Sequence, residues 1–351
     1  MKGLIIPALE FLKNVDGKTA IVFGHDCDSI SSASILFRVL NKLGKDVELK
    51  VSKFNFEVDE DTIKSLKNFE NIVITDIGDT PERRINSIDK NVLIIDHHFP
   101  KNYKCTYVNP RIFKKNIYMP ASYITWLIYR SFFNDSEVDW IAGIGTLGDF
   151  GMKENPLLYF SIKENYPKLV DNFECEDRIL IEKSQLGKLT KAIDSCRIFG
   201  NLNGVIYAAK KLAEFKNYKE VLKDRKILEY YKMLKFEFNK ELNNLKNNAI
   251  IIGDFIIYEI KSKYNLKSSF ASFLPSIYKN KIIFIAQKNK EGFYEVSVRR
   301  GLKRKEDLNK LVEEIKRNTS AQGGGHPTAA GMRIDSLEEL IKFIKNKKKG
   351  R

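Results

Sequence analysis

The side chains best suited to chemistry in this sequence recur at one kind of place, directly after short, apolar, β-branched runs. Asp26 and Asp28 follow TAIVF (Thr19 to Phe23), Asp76 follows NIVIT (Asn71 to Thr75), and Asp96, His97 and His98 follow NVLII (Asn91 to Ile95). If these runs are strands of one parallel sheet, their carboxyl ends share the crevice in which ligands bind. Carboxylates crowded into one crevice repel one another and at neutral pH must protonate or bind cations. A divalent metal is the economical answer. Asp oxygen mixed with imidazole nitrogen suits Mn²⁺ first, with Mg²⁺, Co²⁺ or Zn²⁺ as substitutes. A lone aspartate at a strand end is ordinarily a turn or helix-cap residue, and Asp79 and Asp89 are read as surface positions. Three successive strand ends, and the placement of all four histidines (His25, His97, His98 and His326) inside candidate motifs, favour a metal site.

A fourth acidic element is GIGTLGDFG (Gly143 to Gly151), where small residues permit close approach to Asp149. Upstream, MPASYITWLIY (Met119 to Tyr129) reads as an apolar core helix. Ala121 and Ser122 stand at its start, where free backbone N–H groups could face an anion.

The elements that must position these residues follow from periodicity. Strands separated by helix-length intervals imply βαβ units and a mostly parallel, Rossmann-like sheet. VELKVSKF (Val47 to Phe54) adds a further strand, and SASILFRVLNKL (Ser32 to Leu43) places Ile35, Leu36, Val39, Leu40 and Leu43 on one helical face, capped by Ser31 or Ser32. From Pro167 the sequence turns helical and highly charged, and Ile227, Tyr231, Leu234, Phe238, Leu242 and Leu245 mark one amphipathic helix. Beyond it, AIIIGDFIIYEI (Ala249 to Ile260), KIIFIAQ (Lys281 to Gln287) and FYEVSVR (Phe293 to Arg299) read as strands, with a helix across Ser268 to Tyr278. The expected fold is therefore α/β, with a sheet domain over 1–166, a helical connector over 167–247 and a smaller α/β domain over 248–351. The closing KNKKKGR reads as a solvated tail, with contact to phosphate as the alternative.

Sixty Lys+Arg against 45 Asp+Glu give a net charge of +15, which argues for a polyanionic partner such as nucleic acid. No apolar run approaches the ~18 residues of a membrane span. Cys27, Cys105, Cys175 and Cys196 are too scattered for a disulfide framework or a paired zinc site. An unexported protein in a reducing, cytoplasmic setting is expected. The scarcity of Gln, beside abundant Lys, Glu and Ile, is a bias of heat-adapted proteins and also of AT-rich genomes.

Taken in order, HDCDS, TDIGD, DHH and GTLGD resemble the four motifs of the DHH phosphoesterases, and GGGHPTAAG (Gly323 to Gly331) is similar to the hallmark of the DHHA1 domain that follows in RecJ-like and oligoribonuclease-like branches. Size, basicity and layout most resemble the archaeal RecJ-like nucleases. The resemblance implies that Asp26 and Asp28 each bind one of two metals, that Asp76 bridges them, that His97 and Asp149 complete the ligands of the second metal, and that His98 contacts the scissile phosphate. Relatives usually carry a His or Asp a few residues before the first motif Asp. Here Val22 and Gly24 stand there, so either His25 supplies that ligand from a shifted turn or the first metal is weakly held. Ser29 stands where Gly is frequent, and Cys27 is read as packing.

In the second domain, Gly323, Gly324 and Gly325 can turn successive N–H groups toward an anion, with His326 as an added donor. Arg299 and Arg300 leave a strand end, and Ser297-Val298-Arg299 resembles the Ser-x-Arg segment of DHHA1 domains. The reading is a manganese-dependent exonuclease on single-stranded DNA, with RNA also open, acting by a two-metal mechanism in repair or replication. The alternatives are a phosphodiesterase for dinucleotides, cyclic dinucleotides or 3′-phosphoadenosine phosphate, and a Cdc45-type replication scaffold. Replication or repair proteins and a second copy of the chain stay open as partners, and no membrane is expected. Direction of digestion and sugar preference are not legible in the sequence.

Overall fold

A computed structural model describes residues 2–325 and 327–349, so His326 lies outside the described residues. The chain divides into two compact units, Met1–Lys232 and Met233–Arg351. Among the described residues, no helix is long and apolar enough to cross a membrane.

The first unit opens with helix α1 (Lys2–Asn14), strand β1 (Thr19–Phe23), α2 (Cys27–Lys42), β2 (Val47–Val51), α3 (Glu60–Ser65), β3 (Asn71–Thr75), α4 (Glu82–Asn86), β4 (Asn91–Ile95) and β5 (Thr106–Val108). The five strands form one sheet in the order β2-β1-β3-β4-β5, with every neighbouring pair parallel. Phe23 stands opposite Thr75, and Thr75 opposite Ile95, so three strand ends are level. In this order the chain reverses direction across the sheet between β1 and β3, the switch point at which such sheets open a ligand crevice.

Alternation explains why the strands are apolar throughout. Ile21, Phe23, Val73, Leu93 and Ile95 enter the large helical core, whereas Ala20, Val22, Ile72, Ile74, Val92 and Ile94 enter the core on the other face. A parallel sheet covered on both faces needs this pattern.

The large core is completed by α5 (Ala121–Phe133), α6 (Asp139–Gly148), α7 (Pro156–Asn165), α8 (Pro167–Val170), α9 (Asp177–Lys183) and α10 (Gln185–Glu214). Helix α10 bends at Asn201, whose φ is 49°. Leu169, Leu186, Leu189, Ile193, Cys196 and Leu212 are buried in the same core as β1. Most of the stretch read as a connector thus packs into the first unit, and the dividing point falls at Lys232, inside α11 (Arg225–Asn248).

In the second unit, β6 (Ile250–Ile252), β7 (Phe255–Glu259), α12 (Lys267–Phe273), β8 (Ile282–Lys288), β9 (Tyr294–Arg300), α13 (Leu308–Asn318), β10 (Gln322–Gly325), β11 (Ala329–Ile334) and α14 (Leu337–Lys349) build a mixed sheet ordered β10-β11-β9-β8-β7-β6. Two expectations change here. The run read as one strand from Ala249 is an antiparallel hairpin turning at Gly253, φ 56°. The lysine-rich tail is helical to Lys349.

Candidate metal centre

Asp26 ends the turn after β1 and caps α2. Its carboxylate accepts from Ser29 N at 3.0 Å, so the helix starts at Cys27, earlier than the Ser31 or Ser32 cap expected from periodicity. The ordinary role of an aspartate at a strand end is therefore filled as well. Asn55 Nδ2 donates to its other oxygen at 3.3 Å, while Asn55 Oδ1 accepts from His25 N at 2.5 Å. Burial would raise the Asp26 carboxyl, but the Ser29 N–H, the Asn55 amide and the charge of Arg197 hold it below the usual range.

Two positions along α2, Asp28 is buried against the start of α5. Ala121 N donates to it at 2.7 Å and Ser122 N at 3.0 Å, and the Ser122 hydroxyl donates too. The anion faced by that helix terminus is thus a side chain of the protein itself. Burial, then the charge of Asp149, push Asp28 up to about 7, against the pull of His97 and Ser122.

Asp76 follows β3 with φ 57°, a left-handed conformation that Asp tolerates better than most residues and that concentrates at functional sites. Ser29 Oγ donates to its Oδ2 at 2.6 Å, which gives the serine found in place of glycine a definite task. Burial first, then the charges of Asp26 and Asp28, raise Asp76 far above the usual carboxylate range.

His97 draws these groups together. Its Nε2 lies 3.2 Å from Asp76 Oδ1, 3.5 Å from Asp149 Oδ2 and 4.0 Å from Asp28 Oδ2. Asp76 Oδ1 and His97 Nδ1 are both buried without a hydrogen-bond partner among the described residues. Burial opposes charge on His97, yet Asp149, Asp28, Asp96 and Asp26 together raise its pKa. Asp149 caps the end of α6, next to Phe150 at φ 53°, and accepts from Tyr118 OH at 2.6 Å. The Tyr118 ring meets His97 edge-on at 5.5 Å.

His98 is oriented by Asp96, whose Oδ1 is 2.7 Å from Nδ1. Although burial works against it, the hydrogen bond and charge of Asp96 raise the imidazole to about 9. Gly78 makes room for it, since a Cβ there would collide with the His98 Cβ. Asn109 Nδ2 fixes the same turn through His98 O at 3.0 Å.

Ligand atoms of Asp76, His97 and His98, and separately of Asp28, His97 and Asp149, lie within 4.8 Å of one another. This set fits a divalent cation. Its oxygens and imidazole nitrogens are what such ions coordinate, two of its buried polar atoms lack a hydrogen-bond partner among the described residues, and the raised carboxyls register a repulsion that a cation would relieve. Asp26 joins neither group. His25 turns toward the chain after β2, with Nε2 2.7 Å from Ser52 O.

The candidates of the second unit sit differently. Gly323 to Gly325 form the edge strand β10, where successive N–H groups point to opposite sides instead of converging as a nest requires. Glycine is needed for close packing: a Cβ at Gly325 would meet Ala330 Cα at 2.5 Å. Arg299 donates to Val298 O and Ala330 O at 2.9 and 3.3 Å, and Arg300 to Glu306 O at 2.8 Å.

Sequence reasoning missed Asn55, Asp96 as the partner of His98, Asn109 and Tyr118. Only Asp96 carried a signal, its place in the DHH triplet.

A model of the DHH family N-terminal domain matches residues 18–136, and one of the DHHA1 domain matches residues 255–349. The chain belongs to the DHH family. An uncharacterised protein of Methanocaldococcus jannaschii is 30% identical over 161 residues, 42% of this chain and 36% of its own, so the DHH chain spans about a third of that relative's length. RecJ from Thermus thermophilus in complex with Mn²⁺ has 16% identity and a TM-score of 0.68, over 99% of this chain and 54% of that one. The same RecJ is also solved with Mg²⁺. The DHH domain of a protein described as a member of a family of ribosomal proteins has 15% identity and a TM-score of 0.71, over 98% and 91% of the two chains. At such identities the likeness is one of fold. The DHH phosphoesterase fold is likewise similar to that of a pGpG-specific phosphodiesterase from Vibrio cholerae, TM-score 0.50, and CDC45 from Entamoeba histolytica, TM-score 0.51.

Proposed function

We propose that this DHH protein is a metal-dependent phosphodiesterase and, within that class, an archaeal RecJ-like exonuclease that hydrolyses single-stranded DNA, and RNA as a further substrate, in repair or replication. The observation that carries the reading is His97 Nε2 facing Asp28, Asp76 and Asp149 within 4.0 Å, with Asp76 Oδ1 buried and without a hydrogen-bond partner among the described residues. Asp26, Asp28, Asp76, His97 and Asp149 would hold two divalent ions, Mn²⁺ first and Mg²⁺ or Co²⁺ as substitutes. When bound, such ions supply Lewis-acid activation of water and neutralise charge on phosphate.

The chain's own groups do the rest. Asp76 is held for this task by Ser29, and Asp149 by Tyr118. Asp96 fixes Nδ1 of His98 and favours the protonated imidazole, whose Nε2–H would donate to a non-bridging phosphate oxygen as charge develops there. In the second domain, Arg299, Arg300, the Gly323 to Gly325 strand and His326 are proposed to grip the polymer.

Timed digestion of DNA and RNA oligonucleotides labelled at either end, beside a dinucleotide and with Mn²⁺, tests the reading. A ladder shortening from one end supports it. Cleavage of the dinucleotide alone would make this a small-substrate phosphodiesterase, and binding without cleavage would make it a scaffold.

A further inference from the structure

The rim of the candidate metal centre carries exposed aromatic rings. Phe56 is 53% exposed, Phe99 64% and Phe113 73%. Single exposed apolar residues are ordinary, but these rings lie on the loops that hold His98. Phe56 meets the His98 ring edge-on at 6.4 Å. Phe99 is the next residue along the chain, and the Arg111 guanidinium lies 5.0 Å over its ring. The turn bearing Arg111 and Phe113 is tied to His98 by Asn109, and Arg111 Nε is buried without a hydrogen-bond partner among the described residues. Lys114 and Lys115 follow directly.

Apolar rings set among cations on an open surface match one kind of ligand, a strand that alternates flat bases with phosphates. Each base offers a π-face to an aromatic ring or a guanidinium plane, and each phosphate a charge to Arg or Lys. A protein partner would instead favour a contiguous apolar patch with charge depleted at its centre.

We infer that Phe56 and Phe99, with Arg111, form a stacking platform for the bases of a single-stranded nucleic acid beside the metal centre. The inference rests on the proposed nucleic-acid reading and adds the subsite that tells a base-bearing strand from a bare phosphodiester. The platform holds unstacked bases, so a duplex is excluded until its end frays.

The test is equilibrium binding by fluorescence anisotropy at fixed salt with chelator present, which prevents cleavage. The probes are a labelled oligothymidylate and an abasic strand of equal length and charge. Repulsion of phosphate by the bare carboxylates acts on both strands alike. The wild type should prefer the base-bearing strand. Phe56→Ala and Phe99→Ala should each weaken its binding roughly 5- to 100-fold while leaving the abasic strand unaffected. Phe99→Trp should restore the preference, and Arg111→Ala should weaken both strands. Equal wild-type affinity for the two strands, or equal losses on both for the Phe variants, would overturn the platform. A strand bound through its bases but never cut when Mn²⁺ is supplied would keep the platform and sink the nuclease reading. A strand that is cut but bound without regard to its bases would do the reverse.

Discussion

The strand ends of the first sheet and the glycine-rich edge of the second carry the two sets of candidate residues, and their polar groups are used in opposite ways. Around His97, carboxylates are buried close enough to raise one another, two buried polar atoms lack a hydrogen-bond partner among the described residues, and the backbone at Asp76 and Phe150 is left-handed. Such an arrangement costs stability and persists only where the surroundings over-determine it. At the second sheet, Arg299 and Arg300 reach backbone carbonyls, and the glycines are explained by strand packing. Among the described residues, nothing there is under comparable tension. The contrast teaches that buried, mutually raised polar groups mark the first region, whereas the polar groups described in the second are spent on the protein's own backbone.

The largest effect should come from striking the tense region. Asp76→Asn keeps a side chain that tolerates positive φ and still accepts from Ser29, yet removes a charge from the cluster. Hydrolysis should fall by about 10²–10³ or more, with circular dichroism unchanged, and the rise in Tm expected on adding Mn²⁺ to the wild type should be lost. Near-full turnover in Asp76→Asn would mean that the cluster is not the metal centre.

A smaller and selective loss is expected from the second region. Arg299→Ala and Arg300→Ala should each lower kcat/KM on an oligonucleotide by about 10- to 100-fold, the cost of one charged hydrogen bond to phosphate. An activated aryl phosphodiester, which has no nucleotide chain to be gripped, should be spared. Equal losses on both substrates in folded variants would erase the division between the regions.

Legibility of the sequence divides along similar lines. β1, β3 and β4 were readable to the residue because both faces of the sheet are buried, which forces unbroken apolar runs bounded by polar residues. β5 escaped because TYV is too short to show a period. The β6–β7 hairpin was merged into one strand because a single Gly-Asp pair separates two apolar runs. Asp26, Asp28, Asp76, His97 and Asp149 stood out as types at strand ends and in motifs. Asn55, Asn109 and Tyr118 come from loops whose approach depends on tertiary packing, and no local pattern marks them. The second domain's nest was expected from three glycines alone, a composition that serves an edge strand equally well.

One of those unmarked residues provides a finer test. Tyr118 donates to Asp149 at 2.6 Å, and burial, with the charge of Asp149, keeps its phenol protonated. Tyr118→Phe retains the ring against His97 and removes only the donor. Loss of a partner that orients a metal ligand typically costs 10- to 100-fold in affinity or activity, and a value near the lower end is expected because Asp149 is less enclosed than Asp28 or Asp76. The activity should be partly recovered at higher Mn²⁺, which separates weakened metal binding from a damaged fold.

The smallest effect is a matter of degrees in Tm, and it reads the tension directly. In metal-free protein, Asp28 is raised to about 7 and Asp76 is raised well above its usual value. A carboxyl whose pKa is higher in the folded state binds its proton more tightly there than in the unfolded chain. Its contribution to stability is fully present below the unfolded value of about 3.9 and is lost as pH rises through the folded one. Asp26 and Asp96 shift the other way, so they contribute above the usual carboxylate range and lose that only in stronger acid. Between pH 5 and 8, then, metal-free wild type should lose Tm, because Asp28 and Asp76 keep protons in the folded state that the unfolded chain has already released, at about 2–4 °C per kcal/mol for a unit of this size. Asp76→Asn removes one of the two carboxyls whose pKa folding raises, so its Tm should fall less steeply with pH and stand above that of the wild type at pH 8, with the two converging in acid. Saturating Mn²⁺ should flatten the wild-type curve alone. Parallel curves for the two metal-free proteins would show that folding does not raise the Asp76 carboxyl, and the contrast between the two regions would lose its physical basis.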